Sequence, residues 1–195
     1  MYYTKVRKGQ VPFKVWKKEE IKSFLSTAFS DFKWRNVGLG VLLSYELAQP
    51  IRRLLEVQWS DVDLDKGTLE VIETGAVFPL TPTLKELLTR QKKDFRESRY
   101  VLPTVDPKGL DKSSPYAPKS FRAHFKVVLT KAGLNKELQL DGVKDTAIFE
   151  LVEAGVPLVQ VKAVTGHRDL KELHKYVVSG LTHSAYALSK RDTGI

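Results

Sequence analysis

The chain contains no cysteine. That excludes a disulfide scaffold, a thiolate-ligated zinc site and a thiol nucleophile. Acidic side chains are scarce beside basic ones, 23 against 32 in 195 residues, which leaves a formal net charge of +9. Long hydrophobic runs are missing too. The most apolar stretch, Val37 to Leu47, is interrupted by Ser44, Tyr45 and Glu46 and is too short to span a bilayer. Met1 to Lys8 is basic and aromatic, without the apolar core or small-residue cleavage site of an export signal. There are no internal repeats and no low-complexity tracts. These absences point to an intracellular, cytoplasmic protein with no membrane association.

What remains is a globular composition, 42% hydrophobic and 28% charged, at a length that suits one full domain or a domain with a short appendage. The surplus of positive charge favours a polyanionic partner, and nucleic acid is the commonest. It is unevenly spread: Met1 to Arg35 holds nine Lys/Arg and three Asp/Glu.

Hydrophobic spacing predicts a helix over Trp16 to Phe29, with Ile21, Phe24, Leu25 and Phe29 on one face. A second, mostly buried helix is predicted over Trp34 to Ala48. A third opens with Pro50 at its first position, where a missing N–H costs nothing. The period then changes. Asp61 to Leu64, a turn at Asp65 to Gly67 and Thr68 to Glu73 read as a hairpin, followed by a short strand at Val77 to Leu80. Thr81 or Thr83 caps a helix through about Phe95. Residues 99–117, with Pro103, Pro107 and Pro115, read as a loop. Helices are predicted at Lys119 to Ala132, Val143 to Ala154, Pro157 to Val164, Leu170 to Val178 and Ser184 to Leu188. Gly133 and Gly155 close two of them. The fold class is mainly α with one small antiparallel sheet (α+β). The organisation is a basic lead-in at 1–13, a domain at 14–180 and a tail at 181–195.

Two segments carry a resemblance. Gln49 to Leu69, QPIRRLLEVQWSDVDLDKGTL, contains Trp59-Ser60-Asp61-Val62-Asp63. Gly155 to Tyr176, GVPLVQVKAVTGHRDLKELHKY, contains Gly166-His167 and a tyrosine nine residues beyond the histidine. Together they resemble the catalytic domain of tyrosine recombinases, the phage integrases, and the similarity runs over roughly residues 14 to 180. It implies a protein of DNA integration and recombination, of phage or mobile-element origin and working at a bacterial nucleoid. Double-stranded DNA is the implied partner, and no cofactor or metal is implied. In that family a tyrosine attacks a DNA phosphodiester and holds a 3′-phosphotyrosyl link. Two arginines clamp the non-bridging oxygens, a β-turn lysine protonates the leaving oxygen, and two histidines assist.

Transferred position by position, the resemblance retains Tyr176 as nucleophile and His167 as the later histidine. The first arginine falls on Pro50, and the family's acidic residue three further on falls on Arg53. The β-turn lysine falls on Glu73, or on Thr74 if the turn slips by one. The His-x-x-Arg segment falls on Asp141 to Lys144, so Asp141 stands for a histidine and Lys144 for the second arginine. Proline offers no side-chain donor, and lysine presents a point charge rather than a planar fork. Loss of one oxyanion donor costs about 10²–10³ in rate, so strand cleavage is not expected.

Each position has a plainer alternative. Tyr176 is the nucleophile, or a tyrosine packed near Leu173 and Val177. His167 donates to a phosphate, or caps the following helix. Arg52 and Arg53 form a displaced phosphate clamp, or a solvated or salt-bridged pair. Lys119, Arg122 and Lys126 share one helix face in a stretch, Ser114 to Lys136, without an acidic residue, and either follow a DNA backbone or are merely solvated. No Cys or carboxylate pair at ligand spacing accompanies His167 and His174, so no metal is expected. Three functions follow. One is a DNA-binding regulator or accessory factor that does not cut. Another is a divergent active recombinase whose arginine roles pass to Arg52, Arg53 and Lys144. The last is a protein that pairs with other recombinase-like subunits. The resemblance also implies an N-terminal helical domain that closes round the duplex. With the catalytic-type domain beginning almost at Met1, weaker and more salt-sensitive DNA binding is expected. The tail, with Leu181, Tyr186 and Leu188 as anchors, is expected to fold back on its own domain and leave a monomer in free solution.

Overall fold

A computed structural model describes residues 14–106 and 109–177, with the side chains of 105–113 excepted. The lead-in at 1–13 and the tail, including the helix expected at Ser184 to Leu188, lie outside the described residues.

Seven α-helices are seen among the described residues. They are α1 (Lys18–Phe29), α2 (Arg35–Glu46), α3 (Ile51–Leu55), α4 (Pro82–Asp94), α5 (Pro118–Lys131), α6 (Leu140–Glu153) and α7 (Leu158–Thr165). A three-stranded antiparallel sheet of β1 (Val62–Asp63), β2 (Thr68–Val71) and β3 (Ala76–Pro79) separates α3 from α4. The mainly α class with a small antiparallel sheet is therefore the observed one. Trp16 and Lys17 precede α1 instead of belonging to it. The Lys17 N–H is satisfied by the Glu20 carboxylate at 2.8 Å, so the helix starts at Lys18. Pro50 is the N-cap of α3 and not its first helical residue, with an extended ψ of 138°.

Residues 99–117 are not the expected loop. β4 (Pro103–Asp106) and β5 (Gly109–Pro115) pair antiparallel, with Pro103 opposite Pro115. Proline lacks a ladder donor, so prolines at the ends of this two-stranded ribbon leave its interior pairing intact. α6 begins at Leu140, three residues before the expected start, and Gly142 accounts for the difference. A Cβ there would lie 3.3 Å from both Lys14 O and Trp16 Nε1, so glycine serves a close approach and not a break. The last helix is a 3-10 helix over Leu170–Tyr176 that stops before Val177. Gly133 and Gly155 do follow helix ends with positive φ.

Residues 36 to 44 of α2 are all buried, so this helix is the axis on which the others pack. The main core joins α1, α2, α3, α5 and the sheet through Phe24, Leu43, Leu54, Leu69 and Phe121. Gly40 lets α5 approach, because a Cβ would sit 2.7 Å from the Phe121 ring. A second, smaller cluster of Ala48, Ala147, Ile148, Val152, Val161, Leu173 and Tyr176 ties α6, α7 and the 3-10 helix together.

Candidate functional site

The turn into α3 sets one wall of the site. Gln49 is fully buried. Its Nε2 donates to Val164 O at 2.8 Å, and its Oε1 accepts from Arg53 Nη1 at 3.2 Å. The same Nη1 donates to Thr165 O at 3.2 Å. The guanidinium thus sits at the C-terminal end of α7, where unpaired carbonyls favour a cation. Arg53 Nε lies 3.0 Å from Glu73 Oε2, and Arg52 Nη2 lies 3.3 Å from Glu73 Oε1. Arg52 and Arg53 thus both pair with Glu73. The Arg53 side chain is only 13% exposed, against 69% for Arg52 and 50% for Glu73. The close contact with the Arg53 guanidinium, reinforced by the charges of Arg53, Arg52 and Arg168, holds the Glu73 carboxyl below its ordinary range.

Gly166 closes α7 with φ +70°. A Cβ there would meet Thr74 Cγ2 at 2.7 Å and Arg53 Nη1 at 3.2 Å, so only glycine admits both the turn and its neighbours. A cleft of about 560 Å³ opens beside it, walled by Arg53, Glu73, Thr74, Lys162, His167 and Arg168. Lys162 and Arg168 were not among the sequence candidates. Their signal was position, one turn before and directly after Gly166-His167.

His167 does not cap the following helix. Asp169 does, its carboxylate accepting from Lys171 N at 3.0 Å. His167 Nδ1 is 2.5 Å from Thr165 Oγ1, whose hydroxyl donates to Val161 O at 2.8 Å. With the hydroxyl proton so committed, Nδ1–H is the donor and Nε2 is left as an acceptor. Burial, with help from Lys144, Lys175 and Arg53, pushes the imidazole below its ordinary value. Burial does the same to His124. The unfolded chain therefore takes up protons on these groups at a higher pH than the folded one, and stability falls as pH drops below about 6.5. Urea midpoints at pH 7.5 and 5.5 should show this loss, and it should be smaller in His167→Gln.

Tyr176 is fully buried in the smaller cluster. Leu173 packs with it, while Val177 is 37% exposed. The Tyr176 hydroxyl donates to Asp145 Oδ1 at 2.5 Å. Burial, and next this hydrogen bond, drive the phenol far above its ordinary value. Lys144 and Lys175 both approach the same Asp145 oxygen at 3.4 Å. Asp145 was missed by sequence reasoning, although it directly follows Lys144. The ring of Tyr176 stands edge-on to His167 with centroids 6.3 Å apart.

Lys119, Arg122 and Lys126 are exposed on α5, opposite its buried Phe121, Phe125, Val128 and Leu129. Arg122 Nη2 lies 3.3 Å from Asp141 Oδ2, which ties this basic face to the first turn of α6. Lys144 follows one turn later, its side chain 21% exposed and paired with Asp145. Pro50 is half-buried at the start of α3. Among the described residues no group of three or more His, Asp or Glu side chains is placed to hold a metal ion, and no helix is long and apolar enough to cross a membrane.

The phage integrase family model matches residues 14–182, most of the chain. The protein belongs to the phage integrase family. Solved structures of tyrosine recombinases share its fold. XerA recombinase is 14% identical, with a TM-score of 0.71 over 94% of this chain and 66% of its own. The Tn1549 transposon integrase in complex with transposon right end DNA is 14% identical, with a TM-score of 0.77 over 94% and 67%. A lambda integrase dimer bound to a core site is 19% identical, with a TM-score of 0.64 over 89% and 50%. At such identities the likeness is one of fold. The chain spans about two thirds of the first two relatives and half of the third. A search of curated proteins by sequence found none that matches. Within the phage integrase fold, the cleft at Gly166 and the Tyr176 cluster meet at His167, whose ring stands beside that of Tyr176.

Proposed function

We propose that this member of the phage integrase family binds double-stranded DNA without cutting it, as a regulator or accessory factor in the cytoplasm of its host. The burial of the Tyr176 hydroxyl against Asp145 carries the reading. A nucleophile has to reach a phosphorus atom as a phenolate, and this phenol is enclosed, bonded to a carboxylate and held protonated. The positions the family uses for its clamp hold Pro50 and Lys144, and Lys144 lies 3.4 Å from Asp145. Glu73 takes the place of the general acid. DNA is the partner favoured by the +9 charge and the exposed Lys119, Arg122 and Lys126. Relatives of this fold are described bound to DNA, among them the Tn1549 integrase and XerH bound to its difH substrate. In free solution we take the chain to be a monomer, with pairing to other recombinase-like subunits confined to DNA.

The active-recombinase reading has one observation in its favour. Arg53, Lys162, His167 and Arg168 line one cleft, with the Tyr176 ring beside His167. Incubation with a nicked suicide duplex separates the two. The binding module is expected to give no covalent adduct with either the unaltered chain or Tyr176→Phe, and both should bind the duplex alike. An adduct formed by the unaltered chain and abolished in Tyr176→Phe would establish the enzyme instead.

A further inference from the structure

The carboxylate of Glu73 uses both oxygens on two guanidinium groups, Oε1 toward Arg52 at 3.3 Å and Oε2 toward Arg53 at 3.0 Å. Two non-bridging phosphate oxygens would present themselves to an arginine pair in the same way. Building on the DNA-binding reading above, we propose that Glu73 is an internal counter-anion. It occupies the Arg52–Arg53 pair in the manner of a backbone phosphate, and DNA engages that pair only by displacing it.

The surroundings suit an exchange. Arg53 is fixed by Gln49 and Thr165 on one side, so its charge stays in place when its partner leaves. Arg52 and Glu73 are 69% and 50% exposed, so both side chains can turn into solvent. The incoming phosphate takes over the mostly buried Arg53 charge that Glu73 leaves. The turn that carries Glu73 is held by its own backbone, Thr74 N and Gly75 N bonding Val71 O at 3.0 and 2.9 Å, so the side chain moves without unmaking the strand pair. Arg53 and Glu73 are shared by the walls of two clefts, the one of about 560 Å³ at Gly166 and another of about 350 Å³ toward Gln58 and Asp61. Lys162 and Arg168 on the larger cleft give an incoming anion further attraction. Every phosphate that binds here must therefore compete with a tethered carboxylate, which lowers affinity and hides part of the basic surface from DNA.

The test is titration of a labelled duplex against the full chain at several salt concentrations, with thermal melts to confirm folding. Glu73→Gln is expected to bind about tenfold tighter near 0.1 M salt. Its salt dependence should be steeper by about one to two in log–log slope, as one or two further phosphates are neutralised. Glu73→Lys should bind tighter still. Glu86→Gln, which removes one negative charge from the exposed side of α4, should change affinity less than twofold. Adding Arg52→Gln to Glu73→Gln should cancel most of the gain. Unchanged slope and affinity in both Glu73 variants, with the unaltered chain binding normally, would overturn the counter-anion role alone. No binding by any of the proteins at low salt would overturn the DNA-binding reading and this proposal with it.

Discussion

Replacing Lys119, Arg122 and Lys126 together by glutamine is expected to weaken duplex binding by on the order of a hundredfold at low salt, and to flatten the salt dependence by about three in log–log slope. The three side chains share the solvent side of α5, whose other side is buried through Phe121, Phe125, Val128 and Leu129. Their removal leaves the core untouched, so circular dichroism and melting should be unchanged. The loss should be similar for unrelated duplex sequences, because phosphate contacts position a protein without reading bases. Arg122 already neutralises Asp141 in part. Arg122→Gln alone should therefore cost less than Lys119→Gln or Lys126→Gln. Binding that survives the triple substitution with an unaltered slope would remove α5 from the interface.

Trp16→Ala is expected to destabilise the fold by about 3–5 kcal/mol, read as a fall in the urea midpoint. Trp16 is 1% exposed although it precedes the first helix. Its ring packs against Phe24 and Phe125, each with centroids 6.0 Å away, which joins α1 to α5. Its backbone N–H donates to Thr146 Oγ1 at 2.9 Å, and its indole N–H to Gln139 O at 3.1 Å. The truncation therefore opens a cavity and removes one of the donors to Gln139 O, which keeps the Gly142 N–H at 3.1 Å. Trp16→Phe keeps most of the ring volume and loses only the indole donor, so it should cost about 1–2 kcal/mol. Equal losses in the two variants would show that packing contributes little here.

Most helices were legible because they bury one regular stripe, and α2 because its apolar run is buried all round, while Gly133 and Gly155 mark ends that need positive φ. The β4–β5 ribbon was not legible. Its strands are rich in proline, serine and charge, and pairing, not side-chain pattern, defines it. The start of α6 was obscured by Asp141-Gly142, which reads as a break until Trp16 is seen against it. In the site, the family spacing located His167 and Tyr176, and the structure brings them side by side. The ion pair of Arg53 with Glu73 joins residues 20 apart across a change from helical to strand period, which no local pattern records. Asp145 was passed over because a carboxylate beside a lysine usually signals solvent, whereas its role here comes from a tyrosine 31 residues away.

The division of the interior into a large core and a small one has a dynamic consequence. Among the described residues, Tyr45 and Ala48 are the members of the small cluster from before α6, and the rest come from α6, α7, the turns beside them and the final 3-10 helix. Proteins open in contiguous cooperative units whose free energies follow the apolar contacts each unit buries. The α7 and 3-10 segments are expected to form such a unit, lifting from α6 with the loss of the Gln49 and Arg53 bonds to the end of α7 while α1, α2 and α5 stay packed. Their amide protons are expected to exchange with solvent ahead of those in α2 in native-state hydrogen exchange, and each such opening would bring the Tyr176 hydroxyl into water with the rest of the protein still folded.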